Sequence, residues 1–290
     1  MHIGHVALQV TDLDESVRHA QETLGLRLTA RGEADAFLTA NEKRHELQLI
    51  AGTRNGLDHI GLEVEDASEL EAVRDRSIAA GAEILSEKPL EPGFDAAIRV
   101  RGPASLVFEI YTGMERQPLA LANVLLPIAQ KLGHVTLFAE DKPELELFVL
   151  EALGFRVSDR WGDFATWMRC DPDHHGLAVG KTTGANRLHH YAFELESWAT
   201  VGAYADRVAR SGQEFLWGPG RHGPGFNIFT YLADPAGAIV EAYTDLLRID
   251  NDAAYQEIDW SQEERAMNLW GPAMPDDWDD LGIPILDPAS

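Results

Sequence analysis

Gly4-His5-Val6-Ala7-Leu8, near the start of the chain, returns as Gly133-His134-Val135-Thr136-Leu137. Three further stretches return in the same order. Arg44-His45-Glu46-Leu47 is answered by His174-His175-Gly176-Leu177. Asp58-His59-Ile60-Gly61-Leu62-Glu63 is answered by His189-His190-Tyr191-Ala192-Phe193-Glu194. Phe108-Glu109-Ile110-Tyr111-Thr112 is answered by Val240-Glu241-Ala242-Tyr243-Thr244. The offset grows from 129 to 132 in single steps, as small loop insertions would produce. Such ordered self-similarity marks an internal repeat.

Each copy has the same local grammar. An apolar run of β character opens it, Val6 to Val10 or Val135 to Phe138. A helix follows: Leu13, Val17, Ala20 and Leu24 keep helical spacing, with Thr11 or Asp12 as N-cap and Gly25 as the stop. In the second copy Pro143 suits the first turn and Gly154 closes the helix. Short alternating runs such as Leu47-Leu49 come next. A second helix is expected at about 67–80 and 198–211, each followed by glycine (Gly81, Gly212). The expected organisation is a first module over 1–113, a linker with helical character over 114–131, a second module over 132–245, and a tail over 246–290. The tail is rich in Asp, Pro and Trp and is expected to pack over the second module.

Composition bounds the function. The 290 residues hold 48 Asp+Glu against 24 Lys+Arg, a formal charge of −24. That excess argues against nucleic acid and against anionic lipid, both of which need clustered cations. The single cysteine, Cys170, allows no intrachain disulfide and no cysteine metal cluster, which fits a cytoplasmic protein. No apolar stretch approaches the ~18 residues of a membrane span, and no signal-peptide pattern opens the sequence. No phosphate-binding glycine loop or serine triad stands out.

His134, His190 and Glu241 each interrupt an apolar run of β character. Alternation sends such a side chain either to solvent or into a polar site. If the strands form one curved sheet, the three converge as two imidazoles and one carboxylate. That set leaves coordination positions open and suits non-haem Fe(II) and oxygen chemistry.

The repeat, with Gly-His-Val on its first strand and Glu before the last Tyr-Thr, resembles the vicinal oxygen chelate superfamily. The two-copy chain is similar to the type I extradiol ring-cleaving dioxygenases. The most specific stretch is Gly218-Pro219-Gly220-Arg221-His222-Gly223-Pro224-Gly225, followed by Tyr231-Leu232-Ala233-Asp234-Pro235 and Glu241. The resemblance implies an α+β fold of tandem βαβββ modules and a likeness covering nearly all of residues 1–245. It implies that His134, His190 and Glu241 hold Fe(II), with Mn(II) as an accepted substitute. His175 is the implied acid/base, with an imidazole pKa near the operating range. His222 and Tyr231 are implied to handle the substrate oxygens. At the two double histidines, His190 and His175 are preferred over His189 and His174. The implied reaction opens a small catecholic ring beside its diol with O2, giving a semialdehyde acid. Homo-oligomers are common in the family. Trp167, Phe226 and Phe229 are candidates for an aromatic pocket, and Arg221 for attracting a substrate carboxylate.

The first copy keeps His5, His45, His59 and Glu109. It places Leu90 opposite His222 and Arg99 opposite Tyr231. It is therefore expected to be catalytically silent, with a second, weakly held metal as the alternative. Other readings are a glyoxalase or epimerase, a 4-hydroxyphenylpyruvate dioxygenase-like enzyme, and a metal-free small-molecule binding protein. The His222/Tyr231 pair speaks against the first and the complete ligand set against the last. The second normally runs longer and lacks the His175/His222 pattern.

Overall fold

A computed structural model describes residues 1–118 and 129–287. The first module is one eight-stranded sheet. It runs β1 (His2–Val10), α1 (Leu13–Glu22), β2 (Arg27–Arg31), β3 (Asp35–Thr39), β4 (Leu47–Ala51), then β5 (Gly56–Glu63), α2 (Ala67–Ala79), β6 (Glu83–Ser86), β7 (Ala96–Arg101) and β8 (Val107–Thr112). Each module thus contains the βαβββ unit twice, one unit in each half. Strand order is β2-β3-β4-β1-β5-β8-β7-β6. The first strands of the two halves, β1 and β5, pair antiparallel at the centre. The last strand of each half runs parallel to its own first strand.

The second module repeats this plan with β9 (Ala129–Ala139), α3 (Lys142–Glu151), β10 (Arg156–Trp161), β11 (Ala165–Arg169), β12 (Leu177–Lys181), β13 (Arg187–Leu195), α4 (Trp198–Arg210), β14 (Trp217–Arg221), β15 (Ile228–Ala233) and β16 (Ile239–Thr244). Its order, β14-β15-β16-β13-β9-β12-β11-β10, is that of the first sheet read from the other end. The expected linker ends earlier than the spacing suggested, because β9 already begins at Ala129. The helical character expected of that linker cannot be placed on it, because residues 119–128 fall outside the described residues.

The helix signals have direct physical counterparts. Asp12 caps α1 by accepting the Glu15 N–H at 2.9 Å, and Asp141 caps α3 in the same way. Gly25, Gly81, Gly154 and Gly212 all take positive φ after helices, where a Cβ would be strained. One continuous apolar cluster draws on both modules. A buried carboxylate also ties them: Glu46 Oε1 accepts the Leu132 N–H at 3.0 Å.

The tail is pinned to the second sheet and then to the first. Ile258 and Asp259 form β17, paired with β10. Ile283 and Pro284 form β18, paired with β13. The Leu286 N–H then reaches the Leu57 carbonyl at 2.9 Å.

Candidate metal centre and cavity

Three adjacent strands build the centre of the second module. His134 lies on β9, His190 on β13 and Glu241 on β16. Ala192 is the register partner of both His134 and Glu241, so a small side chain separates the two large polar ones. Gly133 falls at a register shift between β9 and β13. A Cβ at Gly133 would lie 1.7 Å from the Tyr243 hydroxyl oxygen, and the Tyr243 ring sits 4.9 Å from that of His134. The repeated Gly-His and Glu-x-Tyr stretches therefore describe one packing unit: glycine admits the tyrosine ring, which backs the histidine.

Glu241 Oε2 lies 2.9 Å from His134 Nε2 and 3.2 Å from His190 Nε2. Its other oxygen accepts a 2.8 Å hydrogen bond from Asn227 Nδ2. One carboxylate oxygen is thus fixed while the other is presented to both imidazoles. All three residues are buried, with their ligand atoms within 4.8 Å of one another. Burial pushes the Glu241 carboxyl up, but the His134 and His190 rings outweigh it and hold it well below the usual range. Burial likewise keeps His190 below the ordinary imidazole value. Two imidazoles and one carboxylate, with no Lys or Arg lining the cavity beside them among the described residues, fit a divalent ion of Fe(II) or Mn(II) type.

The cluster opens on a cavity with roughly 610 Å³ of unfilled space, part of it continuous with solvent. His134, His175, His190, His222, Tyr231 and Glu241 form its polar end. Phe138, Trp161, Phe164 and Trp167 line the apolar side, and Met267, Met274 and Trp278 come from the tail. Asp279 is the one further acid, and no Lys or Arg lines the cavity among the described residues.

The expected site residues separate into two groups. His175, His222 and Tyr231 all reach the cavity beside the metal cluster, and so does Trp167. Phe226 and Phe229 do not. Phe226 is 37% exposed and meets Trp260 edge-on. Phe229 is fully buried and stacks on the His222 ring at 3.9 Å, supporting it from outside the cavity. Phe229 and Tyr231 share one face of β15, two residues apart, so position along the strand and not alternation separates them: Tyr231 lies beside His190, while Phe229 lies behind the His222 ring. Arg221 also stays outside: it donates to the Phe226 carbonyl at 2.6 Å and pairs with Asp245 at 3.1 Å.

The expectation of a His175 pKa near neutrality is corrected. Burial, then the nearby His134 and His174 rings, holds it well below the ordinary value, so the ring is neutral and able to receive a proton. Burial lowers His222 to about 4. Its Nδ1–H donates to the Met267 carbonyl at 2.7 Å, so its Nε2 accepts from the Tyr231 hydroxyl at 2.9 Å. Burial, with Glu241 adding to it, keeps the Tyr231 hydroxyl well above its usual value. Burial also raises the Cys170 thiol, which argues against a nucleophilic role.

Sequence reasoning missed Asn227, Met267 and Trp278. Asn227 carries no repeat signal, because only the second copy holds its carboxylate this way. Trp278, flanked by acids in the tail, is buried and meets the His189 and Tyr231 rings at 4.9 and 4.7 Å.

The first module has a parallel cluster of different character. His5 Nε2 lies 3.0 Å from His59 Nε2 and 3.5 Å from Glu109 Oε2. The expected partner of His222, Leu90, is 59% exposed. Its neighbour Glu91 is the residue that enters, 3.3 Å from His59 Nε2. A one-residue difference in loop length accounts for the slip. Arg99 donates to Glu109 Oε1 at 2.9 Å and to Glu91, and its Nη2 lies 3.4 Å from His59 Nε2. A guanidinium therefore supplies positive charge inside this cluster.

Comparison with known proteins follows the same lines. A manganese-dependent 2,3-dihydroxybiphenyl 1,2-dioxygenase of Geobacillus genomosp. 3 is 29% identical, with 93% of this chain and 94% of that protein covered. Metapyrocatechase 2 of Cupriavidus necator is 27% identical, with 94% and 90% covered. An iron-dependent extradiol dioxygenase of Rhodococcus jostii is 25% identical, with 93% and 95% covered. Among solved structures, a Mn(II)-bound glyoxalase from Novosphingobium aromaticivorans matches with a TM-score of 0.88 and 28% identity, covering 99% of this chain and 95% of that one. Homoprotocatechuate 2,3-dioxygenase from Brevibacterium fuscum shares the fold, with a TM-score of 0.89 at 23% identity, covering 99% and 93%. The sequence itself matches one family over residues 2–110 and again over 131–242. Two matches, one on each sheet, make the chain a member of the Glyoxalase/Bleomycin resistance protein/Dioxygenase superfamily.

Proposed function

We propose that the chain is an extradiol dioxygenase that opens the ring of a catecholic substrate with O2, using Fe(II) or Mn(II) held by His134, His190 and Glu241. The observation that carries this reading is the neutral, buried trio of His175, His222 and Tyr231 on the cavity wall beside a 2-His-1-carboxylate cluster. When bound there, the ion would supply open positions for a vicinal diol and for dioxygen and a route for electrons between them.

The residues divide the remaining work. His175 accepts the proton of a substrate hydroxyl and returns it to the opening product. Tyr231 and His222 hydrogen-bond the substrate oxygens in different senses: the Tyr231 hydroxyl donates to them and to developing negative charge, and His222 Nε2, whose ring hydrogen is held by the Met267 carbonyl, accepts. Trp161, Phe164 and Trp167 hold the aromatic ring by apolar contact. Met267, Met274 and Trp278 cover that contact and exclude water. A cavity lined without Lys or Arg among the described residues favours an uncharged diol over one bearing a carboxylate.

The first module is read as catalytically silent, with Arg99 supplying the charge that a metal would otherwise bring. The division into 1–113, a linker 114–131, 132–245 and 246–290 is part of this reading, with β9 opening in the last three linker residues and the tail serving as cover for the catalytic module. Assembly into a symmetric homo-oligomer in the cytoplasm completes it.

The test is metal content and turnover together. Wild-type chain should hold one Fe or Mn and turn over 2,3-dihydroxybiphenyl. Glu241→Ala should hold none and lose turnover. The likeness to a solved Mn(II)-bound glyoxalase makes a metal-dependent glyoxalase-type reaction the second reading. Metal-dependent isomerisation without oxygen uptake would replace the first reading with the second.

A further inference from the structure

We propose that Asp159 and His174 form a positioning relay behind His175, fixing which nitrogen of the His175 ring carries hydrogen. This rests on the ring-opening reading for its consequence, but its geometry stands on its own. Asp159, on β10, is 1% exposed. Its Oδ1 accepts the Ile258 N–H at 3.0 Å and the Tyr255 hydroxyl at 2.9 Å. Its Oδ2 accepts the Trp260 indole N–H at 2.7 Å and lies 3.1 Å from His174 Nε2. A peptide N–H and an indole N–H can only donate. Each carboxylate oxygen faces one of them, so both oxygens are acceptors and Asp159 is an anion.

The tautomers follow in order. His174 Nε2 faces that anion and carries hydrogen, although the pair is not aligned for a full hydrogen bond. His174 Nδ1 is then a lone pair, 3.0 Å from His175 Nδ1. Two ring nitrogens at that distance share one hydrogen, which therefore sits on His175 Nδ1. His175 Nε2 is left as the lone pair. In the opposite tautomer Nε2 would already carry a hydrogen and could take no proton from a substrate hydroxyl. As His175 becomes protonated, the His174–Asp159 contact strengthens, the role an aspartate plays behind a catalytic imidazole in hydrolytic triads.

The relay belongs to the module that has the cavity. Strand register places Asp159 opposite Trp167, and in the first module Ala30 opposite Phe37. The first module thus has Ala30 where the second has Asp159, and Arg44 where it has His174. All three other donors to Asp159 come from residues 255–260, so the tail fixes the carboxylate as well as covering the cavity.

Two readouts test this. Histidine ¹⁵N shifts of the full chain loaded with Zn(II) should show His175 as the Nδ1–H tautomer, and Asp159→Asn should shift it toward Nε2–H. In the Fe- or Mn-loaded enzyme, Asp159→Asn and His174→Phe should lower kcat for 2,3-dihydroxybiphenyl by about tenfold to a hundredfold. KM and metal content should stay within about twofold, as for loss of a proton-transfer contribution alone. His174→Gln should recover most of kcat, because its amide can donate to Asp159 and accept from His175. A wild-type His175 in the Nε2–H form overturns the relay even if wild-type turnover proves absent. Unchanged kcat in His174→Phe, or equal losses in His174→Phe and His174→Gln, also overturns it.

Discussion

His19 shows how strongly a single buried imidazole can set the behaviour of this chain. It lies on the inner face of α1, remote from the metal centre, and is 5% exposed. Burial lowers its pKa to about 4. The unfolded chain binds the proton near the ordinary value of about 6.5, so the unfolded state takes up more protons between those two limits. The stability His19 contributes is fully present above about pH 6.5 and is lost as pH falls toward 4, by up to roughly 3 kcal/mol. Urea unfolding at pH 7 and pH 4.5 should show His19→Gln losing less stability on acidification than wild type. An identical loss in both would contradict the assignment. At this scale the sequence was partly informative. It singled out His134, His190 and Glu241 as polar residues in apolar runs, and His175, His222 and Tyr231 through the family resemblance that the glycine-rich stretch carries. It could not separate Phe229 from a cavity-lining role, since a residue behind a histidine and one in front of it look alike in one dimension.

Among elements, the paired central strands carry most of the explanation. Gly4 and Gly133 lie at matching register shifts on β1 and β9, and a Cβ at each would come within 1.9 and 1.7 Å of a tyrosine hydroxyl oxygen. Gly4→Ala and Gly133→Ala should therefore each cost about 1–3 kcal/mol by overpacking. Only Gly133→Ala should also weaken metal binding, because Tyr243 backs His134. Chemical denaturation beside a metal titration checks both halves. Equal metal affinity in the two variants would refute the link between packing and ligand. The repeat made the helices and central strands legible, and α2 and α4 end at Ala79 and Arg210 just before the glycines that stop them. The duplicated βαβββ unit within each module was not legible, because its two halves share topology rather than residues. Glu91 was hidden for another reason: a one-residue loop difference displaced it from the aligned position.

Across the whole molecule, duplication supplied two similar scaffolds that diverged at a few positions. Arg99 stands where the other copy has Tyr231, and Glu91 enters where the other has His222. Ala30 and Arg44 replace the Asp159–His174 pair. The tail then engages the second copy, pinning Asp159, accepting the His222 N–H and lining the cavity with Trp278. The formal charge of −24 has little part in this site, where Glu241 and Asp279 are the acids lining the cavity among the described residues. The most direct measurement is oxygen labelling. Fe- or Mn-loaded chain with 2,3-dihydroxybiphenyl and ¹⁸O2 should give a yellow ring-opened acid carrying both labelled atoms, and Glu241→Ala should give none. Absence of that product with either metal, across several uncharged catechols, would contradict the account.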